Sequence, residues 1–320
     1  NDALNPSVGL SNVIIGDTCA IASTVGDTNV LIGQCGKQNT SNHNVQIGDV
    51  NVTQASDSNT AIGYINTSMQ SISNVLIGGL INTVDQTTQN NTAIGTLSTV
   101  SQTDSCVGIG HLQNLTQSNN SICLGNTTGT NTMSTNSCHF GNSASLSLGT
   151  SSIAIGRHQT ALTVGNSSTA IGNINNSTLG TGSLVMNKTG GTLNCADNCV
   201  VVGNNTQASG TLGNNNIMVG NNVQSSATGT GTYNTIIGNA NISYGVTSTN
   251  STIIGTSCGT SGTNTKTVGD GCTVVGLRNM SYNDGSADGQ GIENVAIGSD
   301  ALCAQVGAYN VAIGRACMSN

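Results

Sequence analysis

The side chains that could carry acid–base chemistry are few and scattered. Histidines stand at positions 43, 111, 139 and 158, and none has an acid and a nucleophile at a spacing typical of a catalytic triad. Glu293 is the sole glutamate, so the paired carboxylates of glycoside hydrolysis are scarce. We therefore expect solvated or loop histidines and a protein that is not an enzyme, with polysaccharide cleavage as the alternative.

One glycine-rich loop offers the best candidate for a metal site. Residues 283–289 read Asn-Asp-Gly-Ser-Ala-Asp-Gly, and a glutamate follows shortly after. Asp284, Asp288 and Glu293 could supply the oxygen ligands that Ca²⁺ prefers. The loop lacks the spacing of an EF-hand, so an ordinary solvated turn is the alternative. We expect no cofactor.

The cysteines indicate a cellular setting more than a reaction. A chain with 11 cysteines suits an oxidising, extracellular environment better than the cytosol. Cys195 and Cys199 form the closest pair, without a second pair or a nearby histidine to complete a zinc site. Buried free thiols are the alternative to disulfides. Asn1 is not a start methionine, which fits removal of a signal peptide or the edge of a fragment.

A five-residue sequence motif recurs through the chain, first as Asn-Val-Ile-Ile-Gly at 12–16 and last as Asn-Val-Ala-Ile-Gly at 310–314. We call its closing residue the anchor and number positions from it. The anchors are Gly16, Gly33, Gly48, Gly63, Gly78, Gly95, Gly110, Gly125, Gly141, Gly156, Gly172, Asn187, Gly203, Gly220, Gly238, Gly255, Gly276, Gly298 and Gly314. The 298 residues from the first to the last anchor hold 18 repeats of about 16.6 residues. A fixed short period predicts structural units that bury apolar side chains against their neighbours.

Aligned on the anchor, the copies of the repeat predict a strand and indicate which of its faces is buried. Position −1 is apolar in all 19 copies, and position −3 is mostly β-branched. Because these positions are two residues apart, they share one face of a strand, which we expect to be the core. The anchor is Gly or Asn, the residues that best tolerate positive φ, so we expect a tight left-handed bend to end each strand there.

Position −4 uses small side chains alone, either Asn, Ser or Cys. Stacked in register, these side chains could hydrogen-bond to the copies above and below, as Asn ladders do in stacked β-structures. The asparagines of this predicted ladder are Asn12, Asn29, Asn44, Asn59, Asn74, Asn91, Asn216, Asn234, Asn294 and Asn310.

Position −2 should point away from a core formed by its neighbours, yet it is largely apolar. A long apolar stripe on an outer face is typical of an interface, so we expect a second copy to cover it. The residues assigned to this lateral interface are Ile14, Leu31, Leu76, Val185, Val201, Met218, Ile236, Ile253 and Val274.

The repeat predicts an all-β fold, a β-solenoid of about 19 stacked two-strand coils of 16–17 residues each. Single apolar residues such as Leu115, Met133 and Leu162 indicate a weaker second strand in each coil. Two stacked sheets then face each other about 10 Å apart. We expect one domain over 1–320, with longer loops at 256–294.

Composition excludes several classes of protein. Charged residues make up 6% of the chain and the net charge of −7 is spread without a cluster, so nothing favours nucleic acid as a partner. No apolar run reaches the roughly 18–20 residues of a membrane span. Aromatic residues that stack on sugars are 2% of the chain, which lowers the prospect of glycan binding.

Two cysteines suggest how copies could join end to end. Cys19 and Cys317 each lie three residues after an anchor, one in the first copy of the repeat and one in the last. Head-to-tail stacking would bring their Cα atoms to about 5 Å, within disulfide range. A bond between Cys19 and Cys35 is the competing assignment.

The phrases Asn-Thr-Ala-Ile-Gly (59–63 and 91–95) and Asn-Val-Ala-Ile-Gly-Ser-Asp-Ala-Leu (294–302) resemble the repeats of trimeric autotransporter adhesin heads and of phage and large-virus tail fibres. The chain also looks like the amyloid-like sheath subunits of filamentous archaea. The resemblance implies a β-solenoid at a cell or virion surface. Two functions stay open: a structural subunit that self-assembles into an extracellular sheath, surface layer or fibre, and an adhesin whose loops bind a host receptor or surface glycan.

Overall fold

The computed structural model describes residues 9–16, 26–35, 42–54, 57–69, 72–81, 83–86, 89–97, 99–112, 114–158, 161–174, 176–188, 192–204, 211–221, 223, 231–239, 249–258, 268–279, 291–302 and 307–317. Every regular element in these residues is a β-strand, and the chain forms two compact units, 1–151 and 152–320. None of the described residues belongs to a helix long and apolar enough to cross a membrane.

The first unit holds one strand for each of its nine anchors. These anchor strands are β1 (Val13–Ile15), β2 (Val30–Cys35), β3 (Val45–Gln54), β4 (Thr60–Met69), β5 (Val75–Ile81), β7 (Thr92–Leu97), β9 (Val107–Leu112), β11 (Ile122–Thr127) and β13 (Cys138–Ser143). Shorter second strands alternate with them from β5 onward. They are β6 (Thr83–Gln86), β8 (Thr99–Gln102), β10 (Leu115–Gln117), β12 (Asn131–Met133) and β14 (Leu146–Leu148).

The second unit repeats this plan around ten anchors. Its anchor strands are β15 (Ile153–His158), β17 (Thr169–Asn173), β19 (Leu184–Lys188), β21 (Val200–Asn204), β23 (Ile217–Asn221), β24 (Thr235–Asn239), β25 (Thr252–Thr256), β26 (Thr273–Leu277), β27 (Val295–Ser299) and β28 (Val311–Arg315). Its second strands are β16 (Leu162–Val164), β18 (Ser177–Leu179), β20 (Asn194–Cys195) and β22 (Thr211–Leu212).

Stacking follows the predicted repeat in register up to the anchor of each coil, and β4 and β5 shift register just after it. Anchor strands pair in parallel with anchor against anchor, as in Gly110 with Gly125 and Gly125 with Gly141. Second strands pair among themselves, for example Leu115 with Asn131 in β10 and β12. The predicted all-β solenoid of stacked coils is confirmed. Most of the predicted longer loops at 256–294 lie outside the described residues.

The left-handed bend lies elsewhere than predicted. Position −5 has a φ of 54–69° in all 19 coils, although its residues include Ser105, Tyr233 and Glu293. This corner turns the chain into the anchor strand just before the ladder residue. The anchor glycines instead lie within their strands, except in β1, with φ values of 108–152°. The expectation that the anchor ends each strand is therefore wrong.

Close stacking adds a second reason for glycine at the anchor. A Cβ on Gly110 would overlap the carbonyl oxygen of Gly125 in the next coil, and Gly203 stands in the same relation to Gly220. The backbone conformation and the approach of the next coil both exclude a side chain at these positions. Glycine at the anchor is thus required both by the positive φ within the strand and by the close stacking of coils.

The predicted polar ladder is present and links successive coils. In the first unit, each Asn Oδ1 accepts a hydrogen bond from the next rung's backbone N–H at 2.7–2.9 Å, from Asn12 through to Cys106. Asn216 shows the full pattern in the second unit: Nδ2 donates to the carbonyls of Gly213 and Gly231, and Oδ1 accepts from the N–H of Asn234 at 2.8 Å. Each such asparagine fastens its own corner to the corner above, which satisfies buried backbone groups that would otherwise be costly.

The core lies on the other face of the anchor strands from the one predicted. Position −2 is buried, with Leu76, Val201 and Ile253 at 0% exposure. It packs against the inward side chains of the second sheet; Gln117 Nε2, for example, donates across the core to the carbonyl of Val107 at 3.0 Å. The predicted lateral-interface residues are therefore the solenoid's own interior. Those buried there are Leu31, Leu76, Val185, Val201, Met218, Ile236, Ile253 and Val274, while Ile14 in β1 is partly exposed.

Candidate functional site: an apolar ribbon on the anchor sheet

Positions −3 and −1 face outward and form two parallel apolar columns, which we call the ribbon. In the first unit, the ribbon consists of Val13, Ile15, Val30, Ile32, Val45, Ile47, Thr60, Ile62, Val75, Ile77, Thr92, Ile94, Val107, Ile109, Ile122, Leu124, Cys138 and Phe140. In the second unit, it consists of Ile153, Ile155, Thr169, Ile171, Leu184, Met186, Val200, Val202, Ile217, Val219, Thr235, Ile237, Thr252, Ile254, Thr273, Val275, Val295, Ile297, Val311 and Ile313.

Ribbon side chains remain substantially exposed to water. Ile109, Ile155 and Ile254 have 38%, 39% and 38% of their surface accessible, and Phe140 has 37%. None of the 38 ribbon positions carries a charged residue. At about 4.8 Å per coil and roughly 10 Å of width, nine coils give an apolar strip of about 430 Å². A strip of this size matches the largest apolar patch of a typical monomeric protein, about 300–600 Å², a patch that is often functional.

The ladder explains why the ribbon faces outward. The ladder side chain at −4 must lie inside, since it bonds the corner carbonyls and N–H groups of two coils. Side chains alternate along a strand, so −2 also points inward while −3 and −1 point outward. The polar column thus sets the facing of the apolar ones.

The opposite outer face of the solenoid has a different chemistry. Exposed or half-exposed hydroxyl residues stack at the middle of successive second strands, with Thr116 paired to Ser101 on one side and to Thr132 on the other. We call this column the hydroxyl face. Its hydroxyl members are Ser101, Thr116, Thr132 and Ser147 in the first unit and Thr163, Thr178 and Thr211 in the second; Asp85 precedes Ser101 in the column, and Asn194 stands between Thr178 and Thr211. Each unit therefore presents an apolar surface on one sheet and a hydroxyl surface on the other.

Comparison with known proteins gives no indication of the function. No family model, curated protein or solved structure matches the chain.

Two of the described aspartates accept hydrogen bonds from the backbone near the corners of the coils. Asp27 Oδ1 accepts a hydrogen bond from the backbone N–H of Leu10 at 2.6 Å, and Asp270 Oδ1 accepts from Thr249 at 2.7 Å. Within the described residues, no three His, Cys, Asp or Glu side chains cluster as a metal site. Asp284 and Asp288 of the predicted calcium loop lie outside the described residues, and Glu293 is an exposed corner residue.

The histidines divide between the surface and the core. His111 is exposed on β9 and His43 occupies a corner, but His139 and His158 are fully buried, so the expectation of solvated histidines is wrong for these two. His158 Nδ1 lies 3.1 Å from the carbonyl oxygen of Ile174. Burial lowers the pKa of His158, which keeps the imidazole neutral near pH 7.

The eight cysteines with described side chains form no disulfide. They are Cys106, Cys123, Cys138, Cys195, Cys199, Cys258, Cys272 and Cys317. Cys199 replaces a ladder asparagine and its Sγ donates to the carbonyl of Gly213 at 3.1 Å. Burial raises the pKa of Cys123 to about 12, so its thiol is unreactive in the folded chain.

The predicted intermolecular disulfide involves one residue within and one outside the described part of the chain. Cys317 is partly exposed, and its Sγ contacts the carbonyl of Ile313 at 3.1 Å. Cys19 lies outside the described residues, and so does the side chain of Cys35. Cys258 also lies three residues after an anchor and is buried, with its Sγ donating to the carbonyl of Gly276 at 3.2 Å. A cysteine three residues after an anchor can therefore link successive coils as a thiol, through a hydrogen bond to the backbone of the next coil.

Proposed function

We propose that this protein is a non-enzymatic structural subunit that self-assembles by lateral packing into an extracellular sheath, surface layer or fibre. The observation that carries the proposal is the ribbon, an uncharged apolar surface repeated in every coil of both units. A second copy is the partner whose shape and spacing fit it, because its side chains recur at the same interval of one coil. Head-to-tail stacking of coils is a further contact within the same proposal, and the Cys19–Cys317 bond stays a prediction.

The energy available from covering the ribbon is comparable with the cost of association. Full burial of an Ile side chain is worth about 1.5–3 kcal/mol. Covering the 38% of Ile109 or Ile254 that is exposed therefore contributes about 0.6–1.1 kcal/mol each. Most other ribbon side chains are less exposed, so the two columns of a nine-coil unit sum to roughly 10 kcal/mol, against about 4–15 kcal/mol for the lost freedom of association. Repeating the contact along a filament or layer shifts this balance further toward assembly.

Sedimentation velocity and negative-stain electron microscopy over a range of concentrations test the proposal. We expect wild-type protein to form large particles and the variant Ile109→Lys/Ile254→Lys, with one charge in each ribbon, to sediment as single copies. The variant Ile109→Val/Ile254→Val is the matched control and should assemble as wild type does. Circular dichroism checks that all three keep their β-structure. Single copies of wild-type protein at every concentration would remove the basis of the proposal.

The alternative function, an adhesin that binds a receptor or a surface glycan, depends on the loops between coils. The longer loop segments, 259–267 and 280–290 among them, lie outside the described residues. The described residues give this alternative no specific support, whereas the ribbon supports assembly directly.

A further inference from the structure

We infer that the lateral contact joins ribbon to ribbon, so that at this contact the assembly is two solenoids deep, with the hydroxyl faces left in water. The inference rests on the proposed function and adds which surface of the second copy is the partner. It follows from the difference between the two outer faces of each unit.

Two arrangements of neighbouring copies are geometrically open. In the first, the ribbon of one copy packs on the ribbon of the other, a contact in which both partners use the same surface. In the second, the ribbon packs on the hydroxyl face of the next copy, which would continue layer upon layer without limit. The two arrangements predict different materials, a paired layer in one case and a multilayered solid in the other.

The chemistry of the faces decides between them. Thr116, Thr132 and Thr163 are exposed, and their hydroxyl groups are free to bind water. Opposite the ribbon, these groups would lose that water to surfaces such as Ile109 and Ile155, which offer no donor or acceptor. Ribbon against ribbon buries mostly apolar atoms on both sides, with threonine at six of the 38 ribbon positions, and it leaves the hydroxyl groups of the hydroxyl face hydrated.

The ribbon is also suited to a self-complementary contact by its shape. Its β-branched and aliphatic side chains recur once per coil along both columns, so the ridges of one ribbon fit between the ridges of another. Each unit has one ribbon in its described residues, and a single partner ribbon covers it. The contact is therefore complete when two ribbons have paired, and growth beyond it must use other surfaces or the ribbon of the other unit.

A pair of double variants in the full chain tests which face is used. Ile109→Lys/Ile254→Lys places one charge on the ribbon of each unit, and Thr116→Lys/Thr211→Lys places one charge on the hydroxyl face of each unit. We expect the ribbon variant to lose lateral pairing, with the particle mass per length falling about twofold or to single copies. We expect the hydroxyl-face variant to assemble as wild type does. Sections by cryo-electron microscopy should show four β-sheets across the lateral contact.

The possible outcomes separate this inference from the proposed function. Loss of assembly in the hydroxyl-face variant, or wild-type particles with more than four sheets stacked through that face, would overturn the ribbon-to-ribbon contact and leave self-assembly standing. Wild-type protein that stays as single copies would overturn both. A ribbon variant that still forms pairs four sheets deep would show that the pairs use another surface, and would overturn the inference alone.

Discussion

Two adjacent isoleucines in β25 provide a direct test of the facing of the anchor strands. Ile253 at position −2 is fully buried, and Ile254 at position −1 is 38% exposed. Both residues are isoleucines in the same strand and the same coil, but their side chains point to opposite faces of the strand. We predict that Ile253→Ala destabilises the solenoid much more than Ile254→Ala, whereas a core on the −1 face would require the reverse order.

The magnitudes follow from burial. Removing a buried Ile side chain to Ala costs about 2–5 kcal/mol, because a cavity remains beside rigid neighbours. At Ile254, the three lost carbons contribute about 0.8 kcal/mol each when fully buried, so the part already buried accounts for about 1.5 kcal/mol. No closed cavity forms there, because water reaches the site. We expect a difference between the two variants of roughly 1–3 kcal/mol.

The measurement should distinguish the effect on folding stability from any effect on assembly, and local opening at β25 from opening of neighbouring coils. We would introduce both variants into a background with Ile109→Lys/Ile155→Lys, one charge in each ribbon, which should hold the chain as single copies. Guanidinium unfolding then reports global stability, and native-state hydrogen exchange at the β25 amides reports local opening, because repeat proteins can open coil by coil. Ile236 and Ile237 in β24 repeat the buried and half-buried pair one coil earlier. Equal losses in both pairs, or a larger loss at Ile254 and Ile237, would refute the facing.

Three further perturbations have expected outcomes. Gln46 is fully buried and both its amide atoms lack a hydrogen-bond partner, so Gln46→Met should raise the midpoint of chemical unfolding by the equivalent of about 1–3 kcal/mol; an unchanged or lower midpoint would contradict this. Asn59→Ala should cost about 1–3 kcal/mol, because the buried N–H of Asn74 loses its acceptor, and Asn59→Ser, which keeps an oxygen, should cost less in the same assay. Burial lowers the pKa of His158, so the unfolded chain binds the proton more readily and stability should fall as pH drops below about 6.5, a dependence that His158→Phe should reduce.

Much of the fold could be predicted because the repeat fixes which residues stack. Anchor pairs with anchor in β9, β11 and β13, as the column alignment requires, and the Asn ladder forms where small polar residues recur. The corner at position −5 was missed because its φ near +60° is occupied by Ser, Asn and Thr more often than by glycine. Short polar residues of this kind tolerate the left-handed region but occur everywhere in this chain, so they give no distinct signal.

The buried face of the anchor strands was predicted wrongly because positions −3, −2 and −1 are all largely apolar. A strand normally reveals its buried side by alternating apolar and polar residues, and that contrast is missing here. Two signals could have decided it. Position −4 must be inside if it forms a ladder between coils, and −2 lies two residues from it. Position −2 also contains Ala61, Ala93 and Gly108, small residues that fit a narrow core opposite larger side chains such as Gln117.

The corrected facing leaves the ribbon as the feature that folding does not explain. At position −3, which is also outward, six of the 19 coils carry threonine, so the solenoid accepts a hydroxyl residue on this face. At position −1, the neighbouring outward column, all 19 residues are apolar and 13 of them are isoleucine. An outward isoleucine that stays about 38% exposed gains only part of its burial energy from its own chain. A column so uniform therefore exceeds what a single solenoid needs, and it supports the proposed contact with a second copy, which would bury the remaining apolar surface of the column.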